Sequence, residues 1–267
     1  MQIFDRRLLK LNKSKTFDCF AESAFLFEIA LDSIGSRLFL KELYDKALFI
    51  GMRNVKGAEL ILDNPAIKEK VFADSAYKFL EPFRGDKIII DEENLPFAHH
   101  SFDLIISLLN IHTINLVPEF FRQISAILKP GGVFIGSLFG SNTLKELKTA
   151  FAETEIQMNI PTSPHIFPMP DIKAVANLAV RCGFIEPVTD SEIIKAHYTT
   201  LSKLFVDLTN MGERNVMHLR TNRFLPRNFL LELEKTYRHN CAIYDHENKT
   251  EILPASFEII YLTAFNT

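Results

Sequence analysis

Residues 91–144 predict an open α/β fold built on a parallel sheet. Three observations carry the prediction. Asp103 opens the apolar run Leu104, Ile105, Ile106, Ser107, Leu108, Leu109, which suits a strand covered on both faces. Phe120, Phe121, Ile124, Ile127 and Leu128 then follow at helical spacing, with Pro118 near the first turn, where its missing N–H costs nothing. Lys129-Pro130-Gly131-Gly132 stops that helix, and Val133 to Phe139 reads as the next strand. Strand, helix and strand joined this tightly make a right-handed crossover and so a parallel pair. The same alternation runs from residue 47 to 139, which extends the unit to a doubly wound sheet.

The elements follow in order. Residues 1–18 read as a polar arm whose basic residues, Arg6, Arg7, Lys10, Lys13 and Lys15, form a solvated segment, with a substrate-capping or membrane-surface role as the alternative. Residues 19–45 read as one or two helices with Phe25, Leu26, Ile29, Ala30 and Ile34 on one stripe. Gly35 interrupts that stripe, and Leu38, Leu43 and Tyr44 resume it. This arm and its helices (1–45) precede one compact unit (46–267) with no linker dividing it. Within it Ala47 to Gly51 is the first strand, residues 56–63 are helical, and Lys70 to Asp74 is the second strand. Asp74 can also cap a helix over 75–81. Lys87 to Asp91 is the third strand.

Beyond the fifth strand, a helix spans Leu144 to Glu155. Four prolines in residues 157–170 make a loop long enough to be a lid, with His165 inside it. Asp171 caps a helix faced by Ile172, Val175, Leu178 and Ala179, and Gly183 stops it. Phe184 to Ile194 is the sixth strand, helices follow at 199–210 and 226–240, and Phe257 to Phe265 is the last strand.

Composition narrows the function classes. A chain of 267 residues with 47% hydrophobic and 24% charged residues buries a substantial core, so disorder is excluded. A net charge of −3 gives no general attraction to nucleic acid. Cys19, Cys182 and Cys241 form no CxxC, which argues against a zinc or redox site and for a reducing, cytoplasmic compartment. The longest uncharged runs are too short to span a bilayer. Oligomeric state is not legible.

Leu95-Pro96-Phe97, then Phe102-Asp103-Leu104, then Leu128-Lys129-Pro130-Gly131-Gly132 together resemble the second half of class I S-adenosylmethionine (SAM) methyltransferases. The resemblance implies a Rossmann-like, seven-stranded, mostly parallel sheet in the order 3-2-1-4-5-7-6, with the seventh strand antiparallel. It implies SAM as cofactor, held by Gly51, Asp74, Asp91, Glu92 and Leu108, with Asp74 on the ribose hydroxyls. The usual glycine-rich loop is missing. Phe49 stands where an acidic residue belongs, and Arg53 and Val55 stand where glycines belong. Side chains at those places predict weak SAM affinity, because bare backbone can no longer approach the ligand.

Further stretches sharpen the resemblance: IFDR at 3–6, GSR at 35–37, LFGSNTLKEL at 138–147, SPHI at 163–166, MGERN at 211–215 and PASFEIIYLTAF at 254–265. They resemble the respiratory complex I assembly factor five group and the malonyl-carrier-protein methyltransferases of biotin synthesis. This implies a protein substrate or assembly partner, with three activities open. These are methyl transfer or hydroxylation of a protein side chain, assembly without catalysis, and methylation of a carrier-bound malonyl group. His112, at the exit of the fourth strand, and His165 are the catalytic candidates. Arg6, His165, Glu213 and Arg214 are the partner-binding candidates, expected near the exits of strands 4 and 5. No metal site is expected.

Overall fold

The computed structural model describes residues 2–53, 57–220, 226–245 and 250–267. Its strands are β1 (Tyr44–Ile50), β2 (Ile67–Asp74), β3 (Asp86–Ile89), β4 (Phe102–Ser107), β5 (Leu128–Phe139), β6 (Ile185–Tyr198), β7 (Ile243–Asp245) and β8 (Thr250–Phe265). They form one sheet in the order β3-β2-β1-β4-β5-β8-β6, with β7 paired to the start of β8. The first five strands run parallel, and β8 runs antiparallel between β5 and β6. This is the expected class I methyltransferase order, with β8 as the expected seventh strand. The short β7 is additional.

Helices cover both faces. On one lie α2 (Phe25–Gly35), α3 (Ala58–Leu62), α5 (Lys145–Gln157), α7 (Leu201–Asn210) and α8 (Phe229–Cys241). On the other lie α4 (Val117–Ile127) and α6 (Ile172–Arg181). The central strands are almost wholly buried, because Leu104 and Ile106 point to the first layer while Ile105 points to the second. Truncating Leu104 to Ala would cost about 2–5 kcal/mol. Asp171 caps α6 by accepting from the Ala174 N–H at 2.7 Å, and Gly183 ends it at φ +98°, where only glycine is unstrained.

Three expectations are corrected. The polar arm is an ordered helix, α1 (Arg6–Thr16), capped by the Asp5 carboxylate on the Leu8 N–H. It buries Leu9, Asn12, Lys13 and Thr16, an i, i+3, i+4, i+7 stripe whose polar members disguise it as a solvated segment. Tyr44 opens β1 instead of continuing a helix, since its backbone pairs with Ile67 and its ring is fully buried. The helix expected over 75–81 is only a 3-10 turn at Tyr77–Phe79. There Asp74 takes the Ala76 N–H at 2.7 Å, closing a local turn that competes with an α-helix.

Candidate functional site

The chain order reverses between β1 and β4, so the carboxyl ends of β1 to β4 open on the crevice where such sheets bind ligands. Gly51 leaves β1 at φ +71°, and a methyl group there would lie 3.0 Å from the Leu108 carbonyl oxygen and 3.3 Å from Asn110 Cβ. Leu108 is buried and donates its N–H to the Ile50 carbonyl at 3.0 Å, so the two strand exits close on each other.

Asp74 is fully buried at the end of β2. One carboxylate oxygen is used by the Ala76 N–H, and the other accepts from Arg53 Nη1 at 2.8 Å. The Arg53 guanidinium lies 3.9 Å above the Phe79 ring and within 6 Å of Phe20 and Phe27, at 5.6 and 5.8 Å. Its Nε is buried without a partner. Val55, the other side chain at a lost glycine position, lies outside the described residues.

Glu92, past the end of β3, is also fully buried. It accepts from Arg6 and, at 3.3 Å, from Lys13 Nζ, both on α1. Lys13 also donates to Asn110 Oδ1 at 2.9 Å. Burial alone would push the Glu92 carboxyl up, but Lys13 and Arg6 overcome it and hold the group well below the usual carboxylate range. Asp91 joins this cluster from its solvent side, 60% exposed, with Arg6 Nη2 at 3.3 Å.

These residues do not fit SAM in this conformation. A nucleoside would need the Asp74 carboxylate for its hydroxyls and an aromatic face for its base. Arg53 holds both, and α1 holds Glu92.

A second feature lies across the same edge. A cavity of about 330 Å³ sits between the end of β5, α5, the Pro-rich loop, α7 and β8, walled by Phe139, Phe151, Phe167, Phe205 and Phe257. Its ionisable lining groups are His165, Glu213 and Arg214. Glu213 Oε2 accepts from His112 Nε2 at 3.0 Å, which puts the ring proton on Nε2 because a carboxylate can only accept. His112 is buried against Phe139 at 4.8 Å, and its Nδ1 has no partner. Arg214 is exposed and makes no ion pair or hydrogen bond among the described residues.

His165 stacks on Phe151 at 4.0 Å and donates from Nε2 to Glu155 Oε1 at 2.7 Å. Ser163 Oγ reaches the same oxygen at 3.1 Å and lies 3.1 Å from the same ring nitrogen. A serine relay needs the acid and the hydroxyl on opposite ring nitrogens, so this trio does not build one.

The structure thus brings His165, Glu213 and Arg214 to one cavity, with His112 behind its wall, and places Arg6 on Glu92 instead. The Pro-rich loop, the residues after α7 and the start of the chain do converge. Phe4 packs edge-on against Phe167 at 5.2 Å, the Asp5 N–H donates to Val216 O at 2.8 Å, and Asn215 Nδ2 donates to Pro164 O at 2.8 Å. Sequence reading missed Lys13 and Asn110, and saw Arg53 as a lost glycine without its pairing to Asp74. The stripe on α1 was the available signal for Lys13. Among the described residues no group of three His, Cys, Asp or Glu side chains could hold a metal ion, and no helix is long and apolar enough to cross a membrane. All three cysteines are free.

A methyltransferase domain model matches residues 69–136. The human mitochondrial arginine-hydroxylase NDUFAF5 is 32% identical over 98% of this chain and 76% of its own length. The malonyl-[acyl-carrier protein] O-methyltransferase 1 of Coxiella burnetii is 30% identical over 68% of this chain and 60% of its own length. Among solved structures, phosphoethanolamine N-methyltransferase 2 of Haemonchus contortus in complex with SAM superposes with a TM-score of 0.52 at 16% identity. That superposition covers 94% of this chain and 57% of that one. At that identity the likeness speaks for the fold alone.

Proposed function

Because the chain belongs to the class I SAM-dependent methyltransferase family, close to the NDUFAF5 and malonyl-carrier O-methyltransferase groups, we propose that it acts on a protein partner in respiratory complex I assembly. In this reading it recognises an arginine side chain of that partner in the Phe-walled cavity, and does so in the cytoplasm. One observation supports this above the others. Glu213 lines a cavity of five Phe rings, keeps one carboxylate oxygen free among the described residues, and is held in place by His112 through the other. A guanidinium suits both partners, donating a charge-assisted hydrogen bond from its edge to the carboxylate and laying its face on the rings. Exposed Arg214 would then meet acidic residues flanking the target.

The test is fluorescence anisotropy with an arginine-containing peptide and its citrulline counterpart, which keeps the shape and loses the charge. The arginine peptide should bind at least ten times tighter to the wild type, and Glu213→Gln should erase that preference. Equal binding of the two peptides, or a preference that survives Glu213→Gln, would refute the reading.

Assembly without catalysis is favoured by the Arg53–Asp74 pair, which occupies the cofactor side. Methyl transfer, including to a carrier protein, is favoured by the retained buried carboxylates Asp74 and Glu92 at the strand ends. Titration with SAM separates these two.

A further inference from the structure

We propose that a second cavity, across the Pro-rich loop from the Phe-walled one, binds an aliphatic carboxylate, with its chain on the apolar walls and its head on Lys148. This cavity has a volume of about 490 Å³, within the range of small-ligand sites. Ile166, Phe167 and Met169 line both cavities, so the loop is the partition between them. Ile3, Met217 and Leu219 supply more of the apolar wall. They come together because Phe4 forms an antiparallel bridge with Met217 and the His218 N–H donates to the Ile3 carbonyl at 2.8 Å. Ile3 and Leu219 are still 40% and 67% exposed, so the cavity leaves apolar surface in contact with water.

The head group follows from Lys148, which among the described residues is the one ionisable group lining this cavity. It lies on α5, and its ammonium donates to the Ser141 carbonyl at 3.1 Å. Among the described residues it makes no ion pair, which leaves two of its three N–H groups for a ligand. Burial pushes this ammonium below the usual lysine range, and the charge of Glu258 opposes that only in part. Glu258 is itself tied to Asn142, whose backbone N–H and Nδ2 donate to its Oε2 at 2.8 and 3.1 Å. A carboxylate would supply the counter-ion that Lys148 lacks, and an alkyl chain would cover the exposed apolar wall. A single cation suits a single negative charge, which favours a monocarboxylate over a phosphate. The inference stands apart from the arginine reading of the neighbouring cavity.

The probe is decanoate, titrated by calorimetry, with decanol and acetate as the comparisons that lack the charge and the chain. Decanoate should bind saturably, one molecule per chain, and about 10- to 100-fold tighter than decanol. Acetate should show no saturable binding. Lys148→Met keeps an unbranched apolar side chain and should bring decanoate down to the affinity of decanol. No saturable binding of decanoate, equal affinity for decanol or acetate, or a preference that survives Lys148→Met would overturn the proposal. A second measurement uses the wild type alone and reads location. Saturating decanoate should slow amide hydrogen exchange several-fold in residues 165–169 and 217–219. Unchanged exchange there would put the ligand elsewhere and would also overturn it.

Discussion

At the exits of β2 and β3 two fully buried carboxylates, Asp74 and Glu92, are met by Arg53, Arg6 and Lys13 of the same chain. Over β5 and β8 a cavity of about 330 Å³ stays open between Phe rings, with Glu213 held by His112 at its side. The two regions lie along one edge of one sheet, yet a ligand meets them differently. In the first it must outcompete ion pairs whose partners are already desolvated and in place. In the second it meets aromatic walls and a Glu213 carboxylate with one oxygen still free, with no buried pair of cation and carboxylate to break. Competition on one side and shape with charge on the other therefore work side by side, and the segment just before α1 packs, through Phe4, on Phe167 in the cavity wall.

The sharpest way to break the contrast is Glu92→Gln. It sets Lys13 and Arg6, 8% and 16% exposed, beside a neutral group that is fully buried, and losing one partner of such a cluster costs about 3–5 kcal/mol. Urea unfolding should show that loss as a lower midpoint with an unchanged slope. A midpoint within error of wild type would mean that the cleft cations are solvated.

Acid tests the same cluster without mutation. Glu92 is held at about 2 against an ordinary value of 4.5. A group depressed in the folded state stabilises fully above its unfolded value and loses that contribution as pH falls through the folded one. The window is therefore from about pH 4.5 down to about 2, and the contribution lost is about 3 kcal/mol. Comparing wild type with Glu92→Gln across that window isolates it, because the variant should lack this part of the acid sensitivity.

The smallest effect belongs to the cavity. Arg214 is exposed and unpaired among the described residues, so Arg214→Ala should change stability by less than about 0.5 kcal/mol. A larger loss by thermal unfolding would mean that Arg214 braces the cavity and is not free to meet a partner.

The fold was largely legible because its signals are local. The Leu104–Leu109 run, Pro118, the Lys129–Gly132 stop and the Asp171 cap each act within a few residues. The site was less so. Asp74, Glu92 and Gly51 could be placed at strand ends from the sequence, since the topology puts them there. That Lys13 reaches Glu92 across 79 positions could not, since neither residue signals the other along the chain. The missing glycines at 53 and 55 showed that bare backbone was gone. They did not show that Arg53 turns back onto Asp74, which depends on Phe79, Phe20 and Phe27 converging from separate elements.

The place of β8 has a consequence for how the protein is made. It follows every other strand in chain order, yet it lies between β5 and β6 and bonds to both. While the ribosome is still working toward residue 265, β5 has an open edge along Val133–Phe139 and β6 has one along nearly its whole length. Bare strand edges pair readily with other chains. Nascent chains stalled before β8 should therefore be the species that aggregates or recruits a chaperone, and a release-coupled gain in protease resistance should mark the moment the strand inserts.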